Sequence, residues 1–332
     1  MRSARRFKML LLWSGLLVGL IVSRMGMACS VNAPTPTASF GSLSSLGVGT
    51  MTQQTQALPS AGLRCPGSVL GLIVSGDRVN ATLSSVNGGR LRNEAGDTIG
   101  YSIFADAAGQ APLTLGTAYN YYNSYILGLL GLLSGQAADI PMYFRTQPGT
   151  AANVSAGTYT DTLTVRWNWS ICTGIGIGSL CLGRNSGNGT SVISLSLTVS
   201  PDCAINAPNL DFGSAPLIQG FDPVTQTISI RCTKGANYTV GISDGMHASG
   251  GQRRLEAGGN YLRYELYQGV SSQARWGNQG SARRGSGQAD IQPGNYDGLS
   301  WQGFTYRAEI LPNQATPPPA TYTDTLVVDV AF

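Results

Sequence analysis

The sequence predicts an all-β protein built as two tandem β-sandwich domains, and three observations carry that prediction. The run Thr-Tyr-Thr-Asp-Thr-Leu occurs at Thr158–Leu163 and again at Thr321–Leu326, with the same landmarks upstream of each copy. Apolar and polar residues alternate along run after run, the period of a strand with one buried face. Turn chemistry such as Asn87-Gly88-Gly89, Pro148-Gly149 and Pro293-Gly294 separates the runs, and helical periodicity is scarce.

The landmarks establish a duplication. Arg90-Leu91 answers Arg254-Leu255, Tyr101-Ser102-Ile103-Phe104 answers Tyr264-Glu265-Leu266-Tyr267, and Phe40-Gly41-Ser42 answers Phe212-Gly213-Ser214. Each series begins at a cysteine, Cys29 or Cys203. Phe104 lies 57 residues before Asp161 and Tyr267 lies 57 before Asp324, so the copies share a frame. Two copies of this length are paired domains rather than a solenoid.

Taken in chain order, residues 1–28 read as a secretory signal peptide. Arg2, Arg5, Arg6 and Lys8 precede an apolar run from Met9 to Val22, and Gly26-Met27-Ala28 makes a small-residue exit. That run is about 14 residues, short of the roughly 20 a membrane-crossing helix needs. Residues 29–190 form the first domain and 201–332 the second, each long enough for its own core. The clearest alternations are Leu163, Val165, Trp167 and Trp169; Ile193, Leu195, Leu197 and Val199; Ile228, Ile230 and Cys232; and Leu326, Val328 and Val330. The segment 191–200 between the domains is either a linker or a strand that completes domain 1. Its four apolar residues on one face favour the strand.

Six cysteines in an exported chain point to disulfides rather than metal ligands. Symmetry between the copies pairs Cys29 with Cys65 and Cys203 with Cys232, leaving Cys172 with Cys181. A lone histidine, His247, cannot assemble a histidine-based metal site. Charged residues make up only 11% of the chain, against about 25% in ordinary soluble domains. The net charge of +4 includes five basic residues of the signal segment, so no electrostatic footprint for nucleic acid survives in the mature chain.

In domain 2 the order is Cys203, Phe212-Gly213, Cys232, Gly245, Arg254-Leu255, Leu262 to Tyr267, Trp276-Gly277, then Ala320 to Phe332 with its Thr-Tyr-Thr-Asp-Thr. This order resembles the spore coat U domain family. Domain 1 matches at its ends and middle but has Leu115-Gly116 where domain 2 has Trp276-Gly277. The family includes subunits of archaic, Csu-type chaperone-usher pili. The resemblance implies an immunoglobulin-like Greek-key sandwich, incomplete in the C-terminal domain, whose missing strand comes from an adjacent pilus subunit. It also implies a periplasmic chaperone and an outer-membrane usher as partners, and display at the cell surface.

Donation of a strand needs an alternating apolar extension ahead of the domain, to pair with an open sheet edge. A mature chain starting at Cys29 has none, so the expectation is a subunit that receives but does not give, at the pilus tip. Domain 1 would then be outermost, attaching the cell to an abiotic or host surface and promoting biofilm formation.

Three apolar, glycine-rich segments of domain 1 are the candidate surface-binding loops. The first contains Leu46 and Val48. The second contains Tyr121, Tyr122, Tyr125, Ile126, Leu127, Leu129, Leu130 and Leu132, where domain 2 has a polar filling. The third, Cys172 to Leu182, contains Ile175, Ile177 and Leu180 inside the expected Cys172–Cys181 loop. Each segment also suits burial in the core. Exposed together they would form an interaction patch.

Enzymatic motifs are missing: there is no Gly-x-Ser-x-Gly, and Gly174-Ile-Gly-Ile-Gly178 lacks the lysine and parallel-sheet context of a phosphate loop. Asp161 and Asp324, in matching turns, suit backbone hydrogen bonding rather than acid-base work. No cofactor, catalytic residue or metal site is expected. Other readings are a structural or initiating subunit with no receptor, and a carbohydrate-binding lectin stacking sugars on Tyr119, Tyr121, Tyr122 and Tyr125.

Overall fold

The computed structural model describes residues 29–31, 36–50, 55–65, 74–122, 137–147 and 153–332. The signal segment 1–28 and Tyr125, Ile126, Leu127, Leu129, Leu130 and Leu132 lie outside these residues, as does the side chain of Ile175. The fold is all-β, and the chain divides into two compact units. The first takes the described residues of 1–41, 51–150 and 158–198; the second takes those of 42–50, 151–157 and 199–332.

The strands of the first half are β1 (Ser30–Val31), β2 (Thr37–Ser44), β3 (Thr55–Leu58), β4 (Leu63–Cys65), β5 (Arg78–Ser85), β6 (Arg90–Arg92) and β7 (Thr98–Phe104). They continue with β8 (Pro112–Leu113), β9 (Ala118–Asn120), β10 (Ala138–Asp139), β11 (Met142–Thr146), β12 (Gly157–Ile177) and β13 (Leu180–Ser200). A small sheet has the order β1-β4-β10, and a large one runs β2-β13-β12-β6-β7-β11-β3, with β5 and β9 added beside β12. Strand β12 alternates as the sequence predicts: Leu163, Val165, Trp167 and Trp169 are buried, and Trp167 lies opposite Ala81 of β5, a large side chain facing a small one. The polar atoms beside this core are paired in a chain. The Trp167 indole donates to Ser191 Oγ at 2.9 Å, and that hydroxyl donates to the Ala61 carbonyl at 2.7 Å.

The segment 191–200 is the last part of β13, hydrogen-bonded to both β2 and β12. Ile193, Leu195, Leu197 and Val199 are all at most 2% exposed. This stretch is strand throughout, and up to Thr198 it clusters with the first unit.

In the second unit, β14 (Cys203–Asn206), β15 (Val224–Cys232), β16 (Thr239–Ile242), β17 (Arg254–Ala257), β18 (Asn260–Gln268), β19 (Arg284–Gly285), β20 (Gln302–Ile310) and β21 (Val328–Ala331) form two sheets. Their orders are β14-β15-β20-β18-β17 and β19-β16-β21. Ile228, Ile230, Val240, Leu266, Trp276 and Phe304 centre the core. A buried arginine, Arg253, has a partner for each of its nitrogens: it donates to Glu265 at 2.5 Å, to the Ser243 carbonyl at 3.0 Å, and to the carbonyls of Ile242 and Trp276 at 2.8 Å. The three disulfides are those that symmetry selects, Cys29–Cys65, Cys172–Cys181 and Cys203–Cys232.

Candidate functional site

The second unit carries an open groove of about 800 Å³. Its apolar lining includes Ile228, Leu262, Leu266 and Ile310, and its two rims contain Phe212 and Leu326. Neither rim has the ladder its sequence would support. Residues 207–215 form no strand, although their counterpart around Phe40 lies in β2. Residues 319–327 likewise form none until β21, although their counterpart lies in β12. The cause is a missing neighbour. In the first unit β13 joins β2 to β12, and among the described residues no strand of the second unit takes that place.

Among the described residues, the rim at 319–327 is bonded on one side only. Thr323 exchanges two backbone bonds with Glu256, and the carbonyls of Thr325 and Val327 accept from Met246 and Ser243. Because backbone groups alternate along an extended chain, those of Tyr322, Asp324 and Leu326 turn to the groove side. Burial follows the same logic: Leu163 and Val165 are 0% exposed, while their counterparts Leu326 and Val328 are only half-buried. An open sheet edge above an apolar trough has the chemistry to take up an extended peptide with alternating apolar side chains.

The two repeat aspartates hold turns by hydrogen bonds. Asp161 accepts from the Tyr101 hydroxyl at 2.5 Å, the Ser85 hydroxyl at 2.6 Å and the backbone N–H of Asn87 and Thr162. Asp324 accepts from the Tyr264 hydroxyl at 2.7 Å and the backbone N–H of Met246, His247 and Thr325. Burial first, and the carboxylate second, raise the pKa of both tyrosines.

At the far end of the β12–β13 hairpin the side chains leave the core. Ile177, Leu180 and Leu182 are 74%, 76% and 77% exposed. The turn runs through Gly178, at φ +63°, a conformation that favours glycine. The Cys172–Cys181 bridge ties the two strands just behind it. Leu182, which closes the candidate segment without being one of its named residues, shares this exposure.

Among the described residues, the other candidates lie in or partly in the core. Tyr121 is 0% and Tyr122 8% exposed. Tyr121 packs edge-on to Tyr119 and tilted against Trp167, and its hydroxyl donates to the Pro141 carbonyl, so it fills the core. Val48 is buried in the short helix α1 (Ser45–Thr50), where Leu46 is half-buried. That helix clusters with the second unit. Sequence reasoning also missed the groove pair Phe212 and Tyr264, although both stand among the repeated landmarks.

The spore coat protein U domain profile matches residues 20–166 and 189–329. The chain belongs to this family of all-β proteins. Among solved structures it is similar to the tip subunit in the CsuC–CsuE chaperone complex from the archaic chaperone-usher Csu pili of Acinetobacter baumannii. That likeness has 28% identity over 92% of this chain and 100% of the other, with a TM-score of 0.61. The CupB6 tip adhesin of Pseudomonas aeruginosa aligns over 92% of this chain and 91% of its own at 12% identity, with a TM-score of 0.31, too distant for a functional inference. No curated protein matches the chain.

Proposed function

We propose that this protein is the tip adhesin of a chaperone-usher pilus, a structural and non-enzymatic subunit. The second unit accepts a strand from the adjacent subunit, and the first presents apolar side chains to an abiotic or host surface. The observation that carries this reading is the contrast within one chain: the first unit completes its sheet with β13, while the second leaves the matching place open. Similarity to a Csu pilus tip subunit over nearly the whole chain supports it. On this reading residues 191–200 complete domain 1, a periplasmic chaperone covers the groove before assembly, and an outer-membrane usher hands the subunit to its neighbour.

The hairpin residues Ile177, Leu180 and Leu182 carry the adhesive contact, together with the segment holding Ile126, Leu129 and Leu130. Docking each leucine-sized side chain is worth about 1.5–3 kcal/mol, and many fibres on one cell multiply the effect. Cells carrying the triple serine variant at 177, 180 and 182 are expected to lose most attachment to polystyrene while displaying pili at wild-type density. Unchanged attachment at that density would reduce the protein to a structural subunit. The lectin reading is weakened by the burial of Tyr121 and Tyr122, two of its four stacking tyrosines.

A further inference from the structure

Tyr264 reaches both rims of the groove. On one side its ring meets Phe212 edge-on, with centroids 5.8 Å apart. On the other its hydroxyl donates to Asp324 Oδ2 at 2.7 Å. Asp324 Oδ1 in turn collects the N–H groups of Met246 at 2.9 Å, His247 at 3.2 Å and Thr325 at 2.8 Å. The turn that offers the first two depends on Gly245: its φ is +90°, and a Cβ there would meet Asp324 Oδ2 at 1.9 Å. One carboxylate and one phenol thus connect Phe212, the turn after β16 and the rim that leads into β21.

The first unit has the same clasp in a different setting. Tyr101 donates to Asp161, and Asp161 collects the turn amide of Asn87. There, however, the strand carrying Asp161 is also paired with β5, β6 and β13. A clasp that merely supplements a fully laddered strand in one unit is a principal tether of the half-laddered rim in the other.

We infer that Asp324 and Tyr264 are positioning residues for strand uptake, holding the two rims of the open groove in register before the incoming strand arrives. This rests on the strand-accepting function proposed above. When only a fraction of molecules is competent to bind, the apparent affinity falls by that fraction. Loss of the clasp lowers the competent fraction and therefore slows association. Dissociation changes little, because the bound strand then ladders both rims itself.

The test uses the full mature, disulfide-bonded chain and a synthetic peptide with the sequence Ser191–Ser200, the strand that fills the matching place in the first unit. Asp324→Asn is expected to slow peptide association about tenfold or more, leaving the dissociation rate within about twofold. Tyr264→Phe slows it less, and Asp161→Asn, which opens the other clasp, leaves it unchanged. Wild-type association by Asp324→Asn would overturn the inference while leaving strand uptake intact. A wild-type chain that binds no alternating apolar peptide would overturn both. Should Asp324→Asn fail to fold, hydrogen exchange on the wild-type chain decides. The amides of Met246, His247 and Thr325 are expected to be protected without peptide, and fast exchange there removes the clasp.

Discussion

Tyr101 and Tyr264 show how a single repeated residue pair shapes stability as well as architecture. Both phenols have pKa values raised first by burial and second by an aspartate that accepts their proton in a hydrogen bond. Tyr122 is pushed up to about 12 by burial, and Tyr121 is raised by burial too. In the unfolded chain these groups ionise near pH 10. Their raised folded values therefore contribute stability that is full below about pH 10 and is lost as pH climbs through the folded values. Alkaline unfolding is expected above about pH 10, with part of the phenolate absorbance appearing only as the far-UV signal of the sheets is lost. All tyrosines titrating together near pH 10 in a still-folded protein would contradict this assignment.

At the scale of elements, the same alternating pattern is worth different amounts in the two halves. Leu197 of β13 is fully buried between laddered neighbours, so Leu197→Ala is expected to cost about 2–5 kcal/mol in urea unfolding of the first unit. Val328 carries equivalent chemistry at the half-buried groove rim, so Val328→Ala is expected to cost less than about 1.5 kcal/mol. Equal costs would mean the groove is not open in solution. This asymmetry also sets what the sequence could disclose. The strands of β12, β13 and β15, the three disulfides and the turn-holding role of Asp161 and Asp324 were legible, because period-two alternation and duplication report them directly. Tyr121 and Tyr122 were not, because an apolar run between glycines reads alike whether it packs on Trp167 or faces water. The groove clasp was hidden for another reason: Phe212, Tyr264 and Asp324 meet only through pairing across strands far apart in sequence.

For the whole molecule, the proposed function makes duplication followed by divergence at one strand yield two units with opposite needs. Among the described residues, the main hydrophobic cluster of the second unit is drawn from Cys203 to Val330, so filling its groove should act there and not on the first unit. A ligand held at 100 times its dissociation constant stabilises the state that binds it by about 2.7 kcal/mol. Saturating the chain with an alternating apolar peptide should therefore slow hydrogen exchange across β18 and β20, about a hundredfold for amides that exchange by opening of the whole unit. Amides of Leu163–Trp169 in β12 should exchange at their original rate, because that strand already has its partner in β13. Slowing of equal size in both units would mean that they unfold as one body, and the division into a finished unit and an accepting one would then have no thermodynamic counterpart.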